Sequence, residues 1–165
     1  MKNLSFHSLL NAALATDMIV IGLLLAGFLQ TPALFSWYQE FSIGAVIVDF
    51  LIIVIGILLA YYAYPYVFGK EYNIILFSGL AVAIQVVHDL LFAAFFYQFR
   101  PGSNRLVTVM QKYMNENKTK ILLADALMIL STIGLERMFS TLSQTGQTIL
   151  SIVLVYVTPY LVFST

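Results

Sequence analysis

Long apolar runs separated by short polar breaks set the pattern of this chain. The first run extends from about Leu9 to Leu29 and is stopped by Gln30-Thr31-Pro32. The second ends at Tyr64, where Pro65 is expected to close it, and a polar turn at Gly69-Lys70-Glu71 follows. The third ends at Arg100-Pro101-Gly102, and the fourth reaches Glu136-Arg137. The fifth is weaker and shorter, with Pro159 near its end. Roughly 20 apolar residues cross a bilayer core. The pattern therefore predicts a single transmembrane domain over residues 1–165, with spans near 8–29, 41–64, 73–99, 121–139 and 148–163. Four spans rather than five is the alternative, because the last run is short. Trp37, Tyr38 and Phe41 fit an interfacial aromatic belt.

The polar loop 100–120 breaks the pattern. Within it Leu106, Val107, Val109, Met110, Tyr113 and Met114 recur at helical spacing, with Arg105, Gln111, Lys112 and Glu116 between them. This predicts a short amphipathic helix lying on the membrane surface between spans three and four. A helix capping the bundle is the alternative.

Composition turns the pattern into a class. Of 165 residues, 61% are hydrophobic and 10% charged, against about 25% charged in a typical soluble domain. A chain this short cannot bury so much apolar surface in water. The fold class expected is an all-α integral membrane protein, multi-pass, with the lipid bilayer as its first partner. A signal peptide is the rival reading of the first run, but the run is too long and carries Asp17. Eight basic and eight acidic residues cancel, so no attraction to nucleic acid is implied. The absence of cysteine excludes disulfide frameworks, thiol redox chemistry, thiolate zinc sites and iron–sulfur clusters. Lysines occur only at positions 2, 70, 112, 118 and 120, outside the spans, which excludes a retinal Schiff base. No cofactor is expected. Arg100, Arg105, Lys112, Lys118 and Lys120 crowd one loop, and the positive-inside rule places that loop in the cytoplasm.

Candidate chemistry lies in the polar residues that interrupt the runs. Gln85, His88 and Asp89 fall within five residues of one span, and Asp17, Asp49 and Asp125 each interrupt another. Ionisable groups inside a bilayer are costly and mark function by default. Depth is counted from the face carrying the 30–40 and 100–120 loops, at about 1.5 Å per residue. Asp125 then lies about five residues in, Asp49 about eight, His88 and Asp89 about ten, and Asp17 about twelve. All four acids fall in one half of the bilayer, across roughly 10 Å.

Helix faces agree in three of the four cases. Asp49 shares a stripe with Ala45, Gly56 and Ala60; Gln85 and His88 or Asp89 share one with Ser78 and Ala81; Asp125 shares one with Thr132 and Glu136. Small residues let neighbouring helices approach closely. The last span offers Gln144, Ser151 and Thr158. Asp17 points about 120° away from the stripe of Asn11, Ala15 and Gly22, so a second subunit is its expected partner, in a homo-oligomer.

Burial raises carboxylate pKa values, and a nearby positive group lowers them. A layer of carboxylates with one imidazole can therefore bind a cation or pass protons. The expectation is a proton- or cation-conducting channel or carrier, with Asp49, Gln85, His88, Asp89, Asp125 and Asp17 as the binding residues. Glu136-Arg137 is expected as an outer gate or a plain interfacial ion pair. A structural membrane scaffold with a polar core is the alternative, since interhelical hydrogen bonds do glue bundles. An intramembrane enzyme using a metal held by the same residues is a third reading, weakened by the absence of HExxH and GxSxG motifs.

The segments Ala45-Val46-Ile47-Val48-Asp49, Ile84 to Phe92 and Ala124-Asp125-Ala126-Leu127-Met128 resemble small multi-spanning membrane proteins encoded by large DNA viruses of algae and protists. The resemblance covers about residues 41–135. It implies a viral protein in the virion's internal membrane or in host membranes, and it implies no particular chemistry.

Overall fold

The computed structural model describes residues 4–29, 32–117 and 119–165. Lys2, Lys118 and the expected stop at Gln30-Thr31 lie outside them. The described residues form seven helices and no strand: α1 Phe6–Leu25, α2 Pro32–Phe41, α3 Ile43–Phe68, α4 Ile74–Phe96, α5 Arg105–Asn117, α6 Thr119–Phe139 and α7 Gln144–Val162.

Local chemistry accounts for most of these limits. Side chains at Ser5, Asn73, Asn104 and Ser143 accept backbone N–H groups at the starts of α1, α4, α5 and α7, which satisfies donors that no helical turn can reach. The first apolar run stops as a helix well before Gln30, because Gly27 takes a left-handed φ of 77° and Phe28 N–H closes back on Leu23 O at 2.9 Å. Pro65 does not close α3. It forfeits only its own N–H bond to the Tyr61 carbonyl, and the helix continues to Phe68. Pro32 opens α2, a position whose N–H would go unpaired in any residue. Ser42, at φ 48°, joins α2 to α3 through a conformation that side chains other than glycine rarely adopt.

Four helices, α1, α3, α4 and α7, are long and apolar enough to cross a membrane. The fourth expected span is the one that falls short. Lys120, Asp125, Glu136 and Arg137 make α6 too polar, whereas α7 qualifies because it begins at Gln144 and not at 148. Even so, α6 packs along α1 and α4. Its contacts run antiparallel to α1, with Thr132 beside Thr16 and Glu136 beside Ser5. The starts of α1 and α7 lie together, through Ser8, Asn11 and Gln147.

Two apolar clusters occupy opposite ends of the molecule. One gathers Ile21, Trp37, Tyr38, Val46, Phe96 and Met110 from α1 to α5. The other gathers Leu9, Ile57, Tyr64, Phe77, Ala81 and Ile129 from α1, α3, α4 and α6. The expected lipid-facing side of α5 is instead covered by protein. Val107, Val109, Met110 and Met114 are buried in the first cluster, and Gln111 donates to the Phe96 and Phe99 carbonyls at 2.9 and 3.0 Å. Of the two readings of this segment, the capping helix is the one the fold adopts.

A buried ladder holds α7 to α1. His7 Nε2 lies 2.9 Å from Ser151 Oγ, Ser151 Oγ donates to Asn11 Oδ1 at 2.7 Å, and Asn11 Nδ2 donates to Gln147 Oε1 at 3.0 Å. Gln147 Nε2 donates to Ser8 Oγ at 2.6 Å and to the Phe139 carbonyl. Gln147, absent from the stripe of Gln144, Ser151 and Thr158, is thus the residue that seats this helix, while Gln144 is exposed. Gln147→Leu removes three side-chain hydrogen bonds, to Asn11, Ser8 and the Phe139 carbonyl, although each of these groups keeps another partner. At roughly 0.6 kcal/mol per interhelical bond it is expected to cost about 2 kcal/mol, read as a lowered unfolding midpoint in detergent.

Candidate functional site

The acidic residues of four helices meet between the two apolar clusters. On one side Tyr38 O–H donates to Asp17 Oδ1 at 2.7 Å, and Trp37 Nε1–H donates to Asp49 Oδ2 at 2.9 Å. Asp17 and Asp49 are close enough to interact as charges, with the Tyr38 hydroxyl in reach of both. Asp17 is fully buried within its own chain. The expected second-subunit partner is therefore replaced by α2. Trp37 and Tyr38, expected at a membrane interface, are likewise buried at 7% and 1% exposure. Burial first, then the Asp49 and Asp17 carboxylates, pushes the Tyr38 hydroxyl well above the ordinary phenol range, which keeps it a donor.

On the other side Asp89 of α4 and Asp125 of α6 lie close enough to interact. Gln85 Nε2 donates to Asp89 Oδ1 at 2.7 Å, and His88 Nδ1 lies 3.2 Å from the same oxygen. The His88 side chain is 39% exposed and stacks on Phe92, so this rung alone reaches toward the outside of the bundle. Tyr113 of α5 lies near Asp125, Asp49 and Asp89. Burial, then those three carboxylates in that order, pushes its hydroxyl up.

The six expected residues thus come together, but as two linked pairs and not as one shell. Among the described residues no three His, Asp or Glu side chains converge as a metal ion would require. No family model matches this chain, and no curated protein or solved structure matches it.

Three acceptors in the layer, Asp17 Oδ2, Gln85 Oε1 and Asp89 Oδ2, are buried with no donor among the described residues. Such atoms cost about 1–3 kcal/mol each when left unpaired. The surplus of acceptors over donors is the site's electrostatic signature: it favours a species that brings protons or positive charge. Gly56 of α3 helps set it. A Cβ there would lie 3.4 Å from Gln85 Oε1, so the absent side chain lets Gln85 lie against the helix backbone while holding Asp89. Gly56→Ala is expected to fold with a melting temperature within a few degrees of the parent. Gly56→Leu is expected to lower it by clearly more, because Gln85 must leave its seat.

Glu136 and Arg137 stand apart from the layer, at the opposite end of α6. Arg137 Nε is 3.8 Å from Glu136 Oε2, its guanidinium lies 4.9 Å from the centroid of the Tyr72 ring, and it donates to the Tyr72 hydroxyl. Glu136 also lies 3.4 Å from the Ser5 N–H and is buried. Sequence reasoning missed Trp37, Tyr38, Tyr113 and the buried hydroxyls of Thr16 and Thr132. Tyr113 carried a signal, the helical repeat of α5, but that signal cannot tell a lipid-facing side from a bundle-facing one.

Proposed function

We propose that this chain is a five-crossing membrane protein that binds and hands on protons at the Asp89–Asp125 pair. The observation that carries the reading is the convergence of these carboxyl groups from separate helices, with Gln85 and His88 on Asp89 and with buried acceptors lacking donors among the described residues. Ionised carboxylates offer only acceptors. Two brought together out of bulk water are stabilised by a proton or a cation shared between them. Among the described residues no three His, Asp or Glu side chains are grouped as a metal ion would require, and we take the proton as the occupant. Intramembrane carboxylates with an imidazole at the edge are the parts from which proton relays are made.

The fifth crossing is α6. It lies antiparallel to α1, and its polar residues Asp125, Thr132 and Glu136 meet partners on neighbouring helices. Segments with charged groups enter bilayers when those groups face the protein interior. With the 100–120 loop in the cytoplasm, His88 and Asp89 lie toward that side.

The scaffold reading has one observation in its favour. Asp17 and Asp49 accept from Tyr38 and Trp37, and so hold α2 over the layer. We assign the Asp89–Asp125 pair to holding the proton and Asp49 and Asp17 to that structural work, with Asp17, next to Thr16, also forming the layer's edge toward the far half of the molecule.

The test is flux. Purified protein in liposomes with an internal pH dye is expected to dissipate an imposed pH gradient at a rate set by protein content. The rate should be unchanged when sodium replaces potassium. Well-folded protein that leaves both directions of gradient intact would overturn the proposal.

A further inference from the structure

A proton held at mid-depth must leave by a second route if it is to cross. The half of the molecule beyond the layer is mostly hydrocarbon, built from Leu9, Ile57, Phe77, Ile129 and Ile133. Two polar threads pass along it.

The first is the α1–α7 ladder. Every rung from Ser8 to Ser151 passes through the Asn11 or Gln147 amide. A carboxamide nitrogen donates but does not take up a proton, so this thread is a fastening and not a conductor.

The second lies between α1 and α6. Thr16 Oγ1 and Thr132 Oγ1 are 2.8 Å apart, at 2% and 0% exposure. Thr16 directly precedes Asp17 in the chain. Thr132 is one turn from the buried Glu136, about 6 Å along the helix, a gap that one water molecule can bridge. Glu136 in turn borders a cleft lined by Tyr61, Tyr72, Ile133 and Arg137.

We infer that the Thr16–Thr132 hydroxyl pair is the exit relay that carries protons from the acidic layer to Glu136. Each hydroxyl is both donor and acceptor. A proton arriving on Thr16 Oγ1 releases that group's own proton to Thr132 Oγ1. Thr132 releases its own toward Glu136, and both hydroxyls then rotate back. No bond other than O–H forms or breaks. Glu136, buried and drawn to Arg137, serves as the last acceptor before the surface. Its role is then terminal relay, and the ion pair with Arg137 holds its carboxylate in place.

This inference rests on the proton reading of the layer, and two measurements keep them separate. The Thr16→Val/Thr132→Val variant removes both hydroxyls while keeping shape and leaves neither partner stranded, which is the least disruptive way to delete a hydrogen bond. Its flux in liposomes is expected to fall at least tenfold. Infrared difference spectra should still show the protonated carboxyl band of the layer responding to pH on the His88 side. Thr16→Ser/Thr132→Ser is expected to restore flux. Parental flux in the double valine variant overturns the relay and leaves the layer standing. Lost flux that double serine fails to restore, in a protein with the parental melting temperature, also overturns it. A parent protein with neither flux nor a pH-sensitive carboxyl band would overturn the layer reading itself.

Discussion

Asp125→Asn is expected to lower proton flux by about 100-fold, the scale on which single proton-transfer groups act, while leaving the fold intact or firmer. Asparagine has nearly the shape of aspartate but cannot exchange a proton with its neighbour. Its amide can donate to Asp89 Oδ2, the buried oxygen that otherwise has no donor among the described residues. The two effects therefore point in opposite directions: less transport, and equal or better thermal stability. That split distinguishes a relay from a merely structural acid, whose loss would lower both. Asp89→Asn should abolish flux as well, but with a stability cost, because Gln85 and His88 both address its carboxylate. Measurement of flux and melting temperature on the same preparations decides the matter. Asp125→Asn conducting at the parental rate would end the proposal.

Tyr38→Phe is expected to give the largest loss of stability of any single-atom change. Tyr38 supplies the bond to Asp17 Oδ1, and Asp17 Oδ2 has no donor among the described residues. Without the hydroxyl, a fully buried carboxyl group keeps no hydrogen-bond donor among them. Hydrogen bonds to charged groups contribute about 1.5–3 kcal/mol, so an effect of about 2–3 kcal/mol is expected in detergent unfolding. The companion Asp17→Leu/Tyr38→Phe variant should recover most of it, since removing both partners leaves nothing polar stranded. Additive losses in that double-mutant cycle would show that the two groups do not act together.

Much of this arrangement was legible beforehand, for identifiable reasons. The helices announce themselves through length and hydropathy. The common depth of Asp49, Asp89 and Asp125 follows from rise per residue alone, which is insensitive to how helices pack. What failed was inference about sides. Asp17 was assigned outward because it lies off the small-residue stripe of α1. That helix, however, is packed by α3, α6 and α7 as well as capped through Tyr38, and a helix enclosed on several sides has no single inner face. The apolar side of α5 and the rings of Trp37 and Tyr38 pack against protein for a related cause. Hydrocarbon and protein interior are both apolar, so sequence cannot separate burial in one from burial in the other. Gln147 was passed over because a heptad count from Gln144 selects Ser151 and Thr158 and steps past it.

The polarity of α6 also bears on how the protein is made. Asp125 is the charged residue nearest the middle of α6, and a charge at a helix centre costs roughly 2.5–3.5 kcal/mol on insertion scales, so α6 gains from a polar partner when it enters a bilayer. Its shelter is α1, synthesised about a hundred residues earlier, and α4. On the five-crossing reading, α6 completes its packing against a helix made near the start of the chain, which already has α3 beside it. Late insertion is then coupled to early folding.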